Sequence, residues 1–288
     1  MGKLYLGNQE IAPILYDKEA AVGIPREVSS QGIYQMPASN FSFSLPNDAS
    51  RIGTYSLAYS FFGANALTSV DLSHVTRVDS YGLQYAFSRC SNLTSVDLSS
   101  LETVTAYGCQ YMCSQCPSLT SVTFGSLNNA SGANAFCYAF SSCTHLTTIN
   151  FGNLTNAHTQ VFDSVCLGCT ALTSASFASL TSVGSYCFNS AFYGCTSLTT
   201  LNFGSLSDIS KDSVFRYAFY NCTSLATLSF PALTTTSFGN FTNQFNNMLQ
   251  GCTGVTVHFP AAIQSTIGSW ASVTSGFGGT NTTVLFDL

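Results

Sequence analysis

One recurring step constrains this chain more than anything else in it. A C-x-x-L motif stands at Cys90, Cys116, Cys143, Cys169, Cys195 and Cys222, each 26 or 27 residues after the one before. Counting back 26 from Cys90 reaches Ala64 in "FFGANALTSVDL", which matches the other columns, and counting on 30 from Cys222 reaches Cys252 in "LQGCTGVTVHF". A fixed period of this length marks a stacked repeat, because one such unit is too small to bury its own apolar face and must lean on its neighbours. Seven aligned units and one divergent unit follow.

Aligning the units separates inner from outer columns. Three residues after the cysteine stand Leu67, Leu93, Leu119, Leu146, Leu172, Leu198 and Leu225; six after, Val70, Val96, Val122, Ile149, Ala175, Leu201 and Leu228; eight after, Leu72, Leu98, Phe124, Phe151, Phe177, Phe203 and Phe230. Ser, Thr, Asp and Asn alternate with them, which predicts one half-buried strand per unit. Before the cysteine, pairs such as Phe136/Phe140, Phe188/Phe192 and Phe215/Phe219 are four residues apart, the step of a helical or 3₁₀ turn facing the strand.

The unit A-F-x-x-C-x-x-L-T-x-V-x-F, as in "AFYGCTSLTTLNF" and "AFYNCTSLATLSF", resembles the BspA-type leucine-rich repeat family of bacterial surface proteins, over roughly residues 55 to 260. That resemblance implies an α/β fold: a right-handed solenoid of seven to eight coils with a parallel sheet on its concave side. It also implies a recognition or adhesion role. The expected organisation is an N-terminal segment (1–36), the solenoid (37–260) and a C-terminal cap (261–288). Phe41, Phe43 and Leu45 alternate like a degenerate first strand, and "KLYLGNQEIAPILY" reads as a small hairpin. At the other end Ile263, Ile267 and Trp270 follow helix spacing, and "TTVLFDL" suits a closing strand.

The stretch "GCQYMCSQC" puts Cys109, Cys113 and Cys116 at zinc-like spacing. In the alignment, however, Cys116 belongs to the cysteine column, while Cys109 and Cys113 replace core Leu or Phe. Cys166 occupies the same column as Cys113, and only Cys137 and Cys187 stand beside the core pattern. Buried free thiols are therefore expected, with no metal and no cofactor. Side chains of one column point the same way, which argues against disulfides between coils and for folding in a reducing compartment.

Composition excludes several functions. Only 7% of residues are charged, and the eight basic ones form no cluster, so nucleic acid is not an expected partner. No run of 18 apolar residues occurs, so membrane insertion is not expected, and the first ten residues carry no secretory signal pattern. Phosphate-binding, hydrolase-elbow and metalloprotease motifs are missing, and His74, His145, His158 and His258 fall in unrelated columns. The candidate ligand surface is the concave carpet of short polar groups: Ser69, Asp71, Ser95, Asp97, Ser121, Thr123, Asn150, Ser176 and Asn202. It would take a protein or glycan surface, on a cell or a virus particle. Two rival readings are a self-associating structural protein and a glycoside hydrolase built on Asp71 and Asp97, neighbours in one column. Tyr59, Tyr85, Tyr111, Tyr138 and Tyr217 form an aromatic column on the convex side, expected to stack between coils.

Overall fold

The computed structural model describes residues 4–6, 9–11, 40–45, 47–234, 244–265 and 276–288. Ten strands lie in file on one face, from Phe41–Ser44 through Leu67–Asp71, Ser95–Leu98, Ser121–Phe124, Thr148–Asn150, Ser174–Ser176, Thr200–Asn202, Thr227–Ser229 and Thr256–Phe259 to Thr283–Phe286. Nine turns of a solenoid separate them. Neighbours pair in parallel in three hydrogen-bonded segments. Both expected cap strands are present, with Phe43 fully buried and Val284 nearly so. The hairpin Leu4–Leu6/Gln9–Ile11 adds antiparallel to Phe41–Ser44 and covers the first edge of this main sheet, a common way of blunting an exposed row of backbone groups. Ile263 ends a 3₁₀ turn, Ala261–Ile263; Ile267 and Trp270 lie outside the described residues.

A second, shorter ladder was not anticipated. Two-residue strands Arg51–Ile52, Arg77–Val78, Thr103–Val104, Asn129–Ala130, Asn156–Ala157 and Ser182–Val183 pair in parallel on another side of the coil. Their second residues point inward and are buried. At the first two rungs Arg51 and Arg77 grip the buried carboxylate of Asp79 at 2.6 and 2.8 Å. Such a buried charge would be costly without its partners.

The third side corrects the α/β expectation, because it is neither helix nor strand. Taking residues 105–115 as the example, alternate residues bond within the coil and between coils. Gly108, Gln110, Met112 and Ser114 donate their N–H groups three residues back, to Thr105, Tyr107, Cys109 and Tyr111. Tyr107, Cys109, Tyr111, Cys113 and Gln115 donate forward to carbonyls of the next coil, Ala133, Ala135, Cys137, Ala139 and Ser141, at 2.7–3.0 Å. A helix would spend every N–H inside its own coil and leave the stack unbonded. Overlapping β-turns satisfy both demands, and the inter-coil bonds of this wall all run from one coil to the following one.

Closing those turns requires a left-handed residue at every fourth position. It falls nine, five and one before the cysteine: Tyr81, Tyr85 and Arg89, then Tyr107, Tyr111 and Gln115, with Gly168, Gly194 and Gly251 at the last of the three in later coils. The four-residue apolar step in the sequence is thus a turn repeat, not a helical one.

Inside, phenylalanines stack coil upon coil. One file runs Phe124, Phe151, Phe177, Phe203, Phe230, Phe259 and Phe286 from the main sheet, with ring centres 5.2–6.0 Å apart. A second runs Phe136, Phe162, Phe188, Phe215 and Phe245 from the wall, at 5.3–6.0 Å. The files meet edge-to-face, as in Phe177 against Phe188 at 4.9 Å, a geometry that the ring quadrupoles favour.

The cysteine column fills the seam between sheet and wall, and its thiols have a definite task. Cys90, Cys116, Cys169, Cys222 and Cys252 direct Sγ onto the carbonyl oxygens of Phe61, Phe87, Phe140, Phe192 and Phe219 of the preceding coil, at 3.0 Å. Cys143 and Cys195 do the same onto Cys113 and Cys166 at 3.1 Å. Each of these carbonyls carries two lone pairs, so those of Phe61, Phe87, Phe140, Cys166, Phe192 and Phe219 take the S–H in addition to a turn N–H. The column therefore needs a small apolar side chain with one donor, which describes a protonated cysteine. All twelve cysteines are buried and free. Burial pushes Cys90 up to about 12 and Cys116 higher still, the opposite of what a thiolate metal ligand requires.

Beside the tyrosines runs a polar file. Gln84 donates to Gln110 at 2.8 Å, and Asp163 accepts from Ser164 at 2.9 Å and from Asn189 at 3.1 Å. Burial raises the pKa of Asp163 above the ordinary carboxylate value, and those hydrogen bonds offset only part of the rise. A raised folded pKa means that the native state binds the proton more tightly. The cost of the charge is then fully present above the folded pKa and declines as pH falls from there to the ordinary, unfolded value, where it is gone. Asp163→Asn should be at least as stable as the parent at neutral pH, and the advantage should shrink on acidification. Urea midpoints of both proteins at several pH values test this; a variant less stable at neutral pH would show that the carboxylate is net favourable.

Candidate functional site on the main sheet

Alternation along each strand turns one set of residues outward. Ser121 and Thr123 are exposed around buried Val122, as are Thr148 and Asn150 around buried Ile149. Parallel register then converts single residues into columns. Ser69, Ser95 and Ser121 are mutual partners, as are Asp71, Asp97 and Thr123; Asn150 pairs with Ser176 and Asn202 with Ser229. The structure thus brings the sequence-derived candidates together on one surface, divided along the solenoid by the sheet's two breaks in hydrogen bonding.

The second column has a structural duty that its composition did not reveal. Asp71, Asp97 and Asn150 accept the backbone N–H two residues on, from Ser73, Ser99 and Gly152, at 2.9–3.1 Å. These Asx turns close the strand end. Hydrogen bonds from the hydroxyl and N–H of Ser73 hold Asp71 below the usual carboxylate value. A glycosidase acid needs its pKa raised instead, so Asp71 does not suit the acid role of the hydrolase reading.

Hydroxyls distinguish the columns from one another. Thr68, Thr94, Thr120 and Thr173, one position earlier on the strand, donate to carbonyls of the previous coil at 2.9–3.1 Å. Thr76 and Thr181 do likewise beside the short ladder. By contrast, among the described residues the hydroxyls of Ser69, Ser95, Ser121, Thr148, Ser174 and Thr200 make no bond to the protein and face solvent or its margin.

Among the described residues tyrosines occupy the turn wall as two long stacks and one pair, Tyr193 against Tyr220 at 4.4 Å. Tyr59, Tyr85, Tyr111 and Tyr138 stack at 4.4–4.7 Å, as expected. A second stack, Tyr55, Tyr81 and Tyr107 at 4.6 and 4.8 Å, was missed. Tyr217 does not join the first; Ser190 and Asn247 stand at the equivalent positions on either side, and it lies edge-on to Tyr220 at 6.2 Å. Stacked rings spend their faces on one another and leave chiefly edges and hydroxyls outward, which weakens this wall as a platform for sugars.

At the far end of the main sheet His258 Nδ1 lies 2.8 Å from Asp287 Oδ1. Sequence columns did not connect these residues, because one stands in the divergent last unit and the other in the closing strand region. Among the described residues no group of three or more His, Cys, Asp or Glu side chains is placed to hold a metal ion. No helix among them is long and apolar enough to cross a membrane.

Comparison with known proteins gives one family. The model of the BspA type leucine rich repeat region matches in six copies, over residues 39–139, 84–190, 137–249 and 189–271. Similar solved structures include a leucine-rich cell surface protein from Faecalibacterium prausnitzii, 15% identical with a TM-score of 0.37, covering 86% of this chain and 92% of that one. The pneumococcal vaccine antigen PcpA is 12% identical with a TM-score of 0.32, covering 100% and 99%. A leucine-rich repeat protein from Bacteroides ovatus is 14% identical with a TM-score of 0.24, covering 99% of each chain. No curated protein matches the sequence.

Proposed function

Because the chain belongs to the BspA-type leucine-rich repeat family, we propose that it is a recognition module that holds a protein or glycan surface against the outer face of its main sheet, displayed on a cell or a virus particle. One observation carries this reading. The outward hydroxyls of Ser69, Ser95, Ser121, Thr148, Ser174 and Thr200 have no protein partner among the described residues, while the neighbouring threonine column bonds the backbone. Ser69, Asp71, Ser95, Asp97, Ser121, Thr123, Asn150, Ser176 and Asn202 are the proposed contact residues.

Replacing Ser121, Asn150 and Ser176 together by Arg is expected to abolish retention on whichever glycan array or cell surface the parent protein binds, without loss of folding, because outward strand residues carry little of the core. Tyr85, Tyr111 and Tyr138 replaced by Ser should leave that binding nearly unchanged. Binding lost only in the tyrosine variants would move the site to the turn wall.

A further inference from the structure

The dyad at the end of the main sheet has a third neighbour. Thr227–Ser229 and Thr256–Phe259 pair in parallel with Ser229 opposite His258, and Thr256–Phe259 pairs with Thr283–Phe286 with His258 opposite Leu285. Ser229 and His258 both alternate with buried residues, Leu228 and Phe230 on one strand, Val257 and Phe259 on the other. Their side chains therefore leave the same face from adjacent strands, about 4.8 Å apart at the backbone. Asp287 follows on the far side of the histidine, with Oδ1 and Oδ2 at 2.8 and 3.1 Å from Nδ1.

We propose that Ser229, His258 and Asp287 form a nucleophilic hydroxyl able to accept an acyl group from an activated ester. The carboxylate holds Nδ1 in its protonated form and fixes the ring, which leaves Nε2 as the basic nitrogen. The register sets Ser229 directly beside His258, and for the transfer its Oγ has to approach that nitrogen by a side-chain rotation or through one water. No other titratable group faces the ring from the two flanking strands, whose outward residues are Thr227 and Ser229 on one side and Thr283 and Leu285 on the other. Both dyad side chains are accessible, with 25% of the histidine and 48% of the aspartate exposed. An ester carried on the main sheet thus meets the hydroxyl without a lid or a channel.

The step is an ordinary acyl transfer. Ser229 Oγ forms a bond to the acyl carbon as its proton passes to Nε2. The bond from that carbon to the leaving oxygen then breaks with its electron pair, and the leaving group departs as the phenolate or takes the proton from the imidazolium. Water repeats the sequence to release the acid and restore the serine.

The test uses the full chain and p-nitrophenyl acetate, read by p-nitrophenolate release and by mass mapping of the acetyl group. Ser176 is the internal control, a serine of the same column whose neighbours include no histidine. Acetyl is expected on Ser229 at least about tenfold faster than on Ser176. His258→Gln and Asp287→Asn should each remove most of that difference, the scale expected of a lost general base or its orienting partner, while circular dichroism and melting stay unchanged. Even acetylation of Ser176 and Ser229, or equal rates in His258→Gln and the parent, would overturn the assignment. Turnover that survives in Ser229→Ala would also overturn it, by making His258 the nucleophile.

Discussion

Phe162→Ala is expected to lose about 3–5 kcal/mol of stability, the range for a large aromatic removed from a fully buried site. Phe162 is completely buried and touches both files at once, with ring centres at 4.6 Å from Phe151, 5.0 Å from Phe177, 5.4 Å from Phe188 and 6.0 Å from Phe136. Three coils share the void, so relaxation by one of them cannot fill it. In a linear array each coil is stabilised mainly by its neighbours, so the loss should broaden or split the denaturation curve. Thr147→Ala, exposed just before the main-sheet strand of the preceding coil, should stay within about 0.5 kcal/mol. Urea denaturation followed by circular dichroism decides between them, and equal effects would mean that the buried and outward columns have been exchanged.

Gly132→Ala is the second large effect, and it acts without removing a contact. A Cβ at this position would sit 1.9 Å from Ala106 N and 2.5 Å from Thr105 C, both backbone atoms of the previous coil. Neither can move aside without opening the wall, since Tyr107 donates to Ala133 there at 3.0 Å. Overpacking of this kind costs about 1–3 kcal/mol or more. Gly63→Ala gives the contrast: a Cβ there meets nothing within 4 Å, and only its positive φ of 70° opposes the change. A thermal shift that is no larger for Gly132→Ala than for Gly63→Ala would mean that the coils are spaced more loosely than described.

Much of this architecture was legible because the repeat compares the chain with itself. Columns of Leu, Val and Phe gave the main strands, their inward face and the cap strand at Phe41–Ser44. The cysteine column was correctly placed in the core, and "GCQYMCSQC" resolves into three core positions. The turn wall was misread because a four-residue apolar step does not distinguish a helical turn from a chain of β-turns. Recurrent glycine just before the cysteine column, at Gly63 (before Ala64), Gly168, Gly194 and Gly251, was the available signal, since glycine readily takes a positive φ. Tyrosine at the same class of position pointed the other way, because bulky residues seldom adopt it. The short ladder was also readable, from the inward residues Val78, Val104, Ala130, Ala157 and Val183. Sequence could not show that the Asp71 and Asp97 carboxylates close turns, because that depends on where the following N–H points. Nor could it pair His258 with Asp287, which belong to different units.

The one-way bonding of the turn wall has an electrostatic consequence. In the main sheet neighbouring peptide groups point in opposite directions and their dipoles largely cancel. In the wall, the peptides that bridge coils all direct N–H toward the following coil, as Tyr107, Cys109, Tyr111, Cys113 and Gln115 do. Each contributes a dipole of about 3.5 D along the stacking direction, the same arithmetic that polarises an α-helix. The wall is therefore a bundle of parallel hydrogen-bond chains with its negative pole toward the first coil and its positive pole toward the last. Every added repeat lengthens that bundle without a change of sign, so the number of repeats sets how far apart the poles lie.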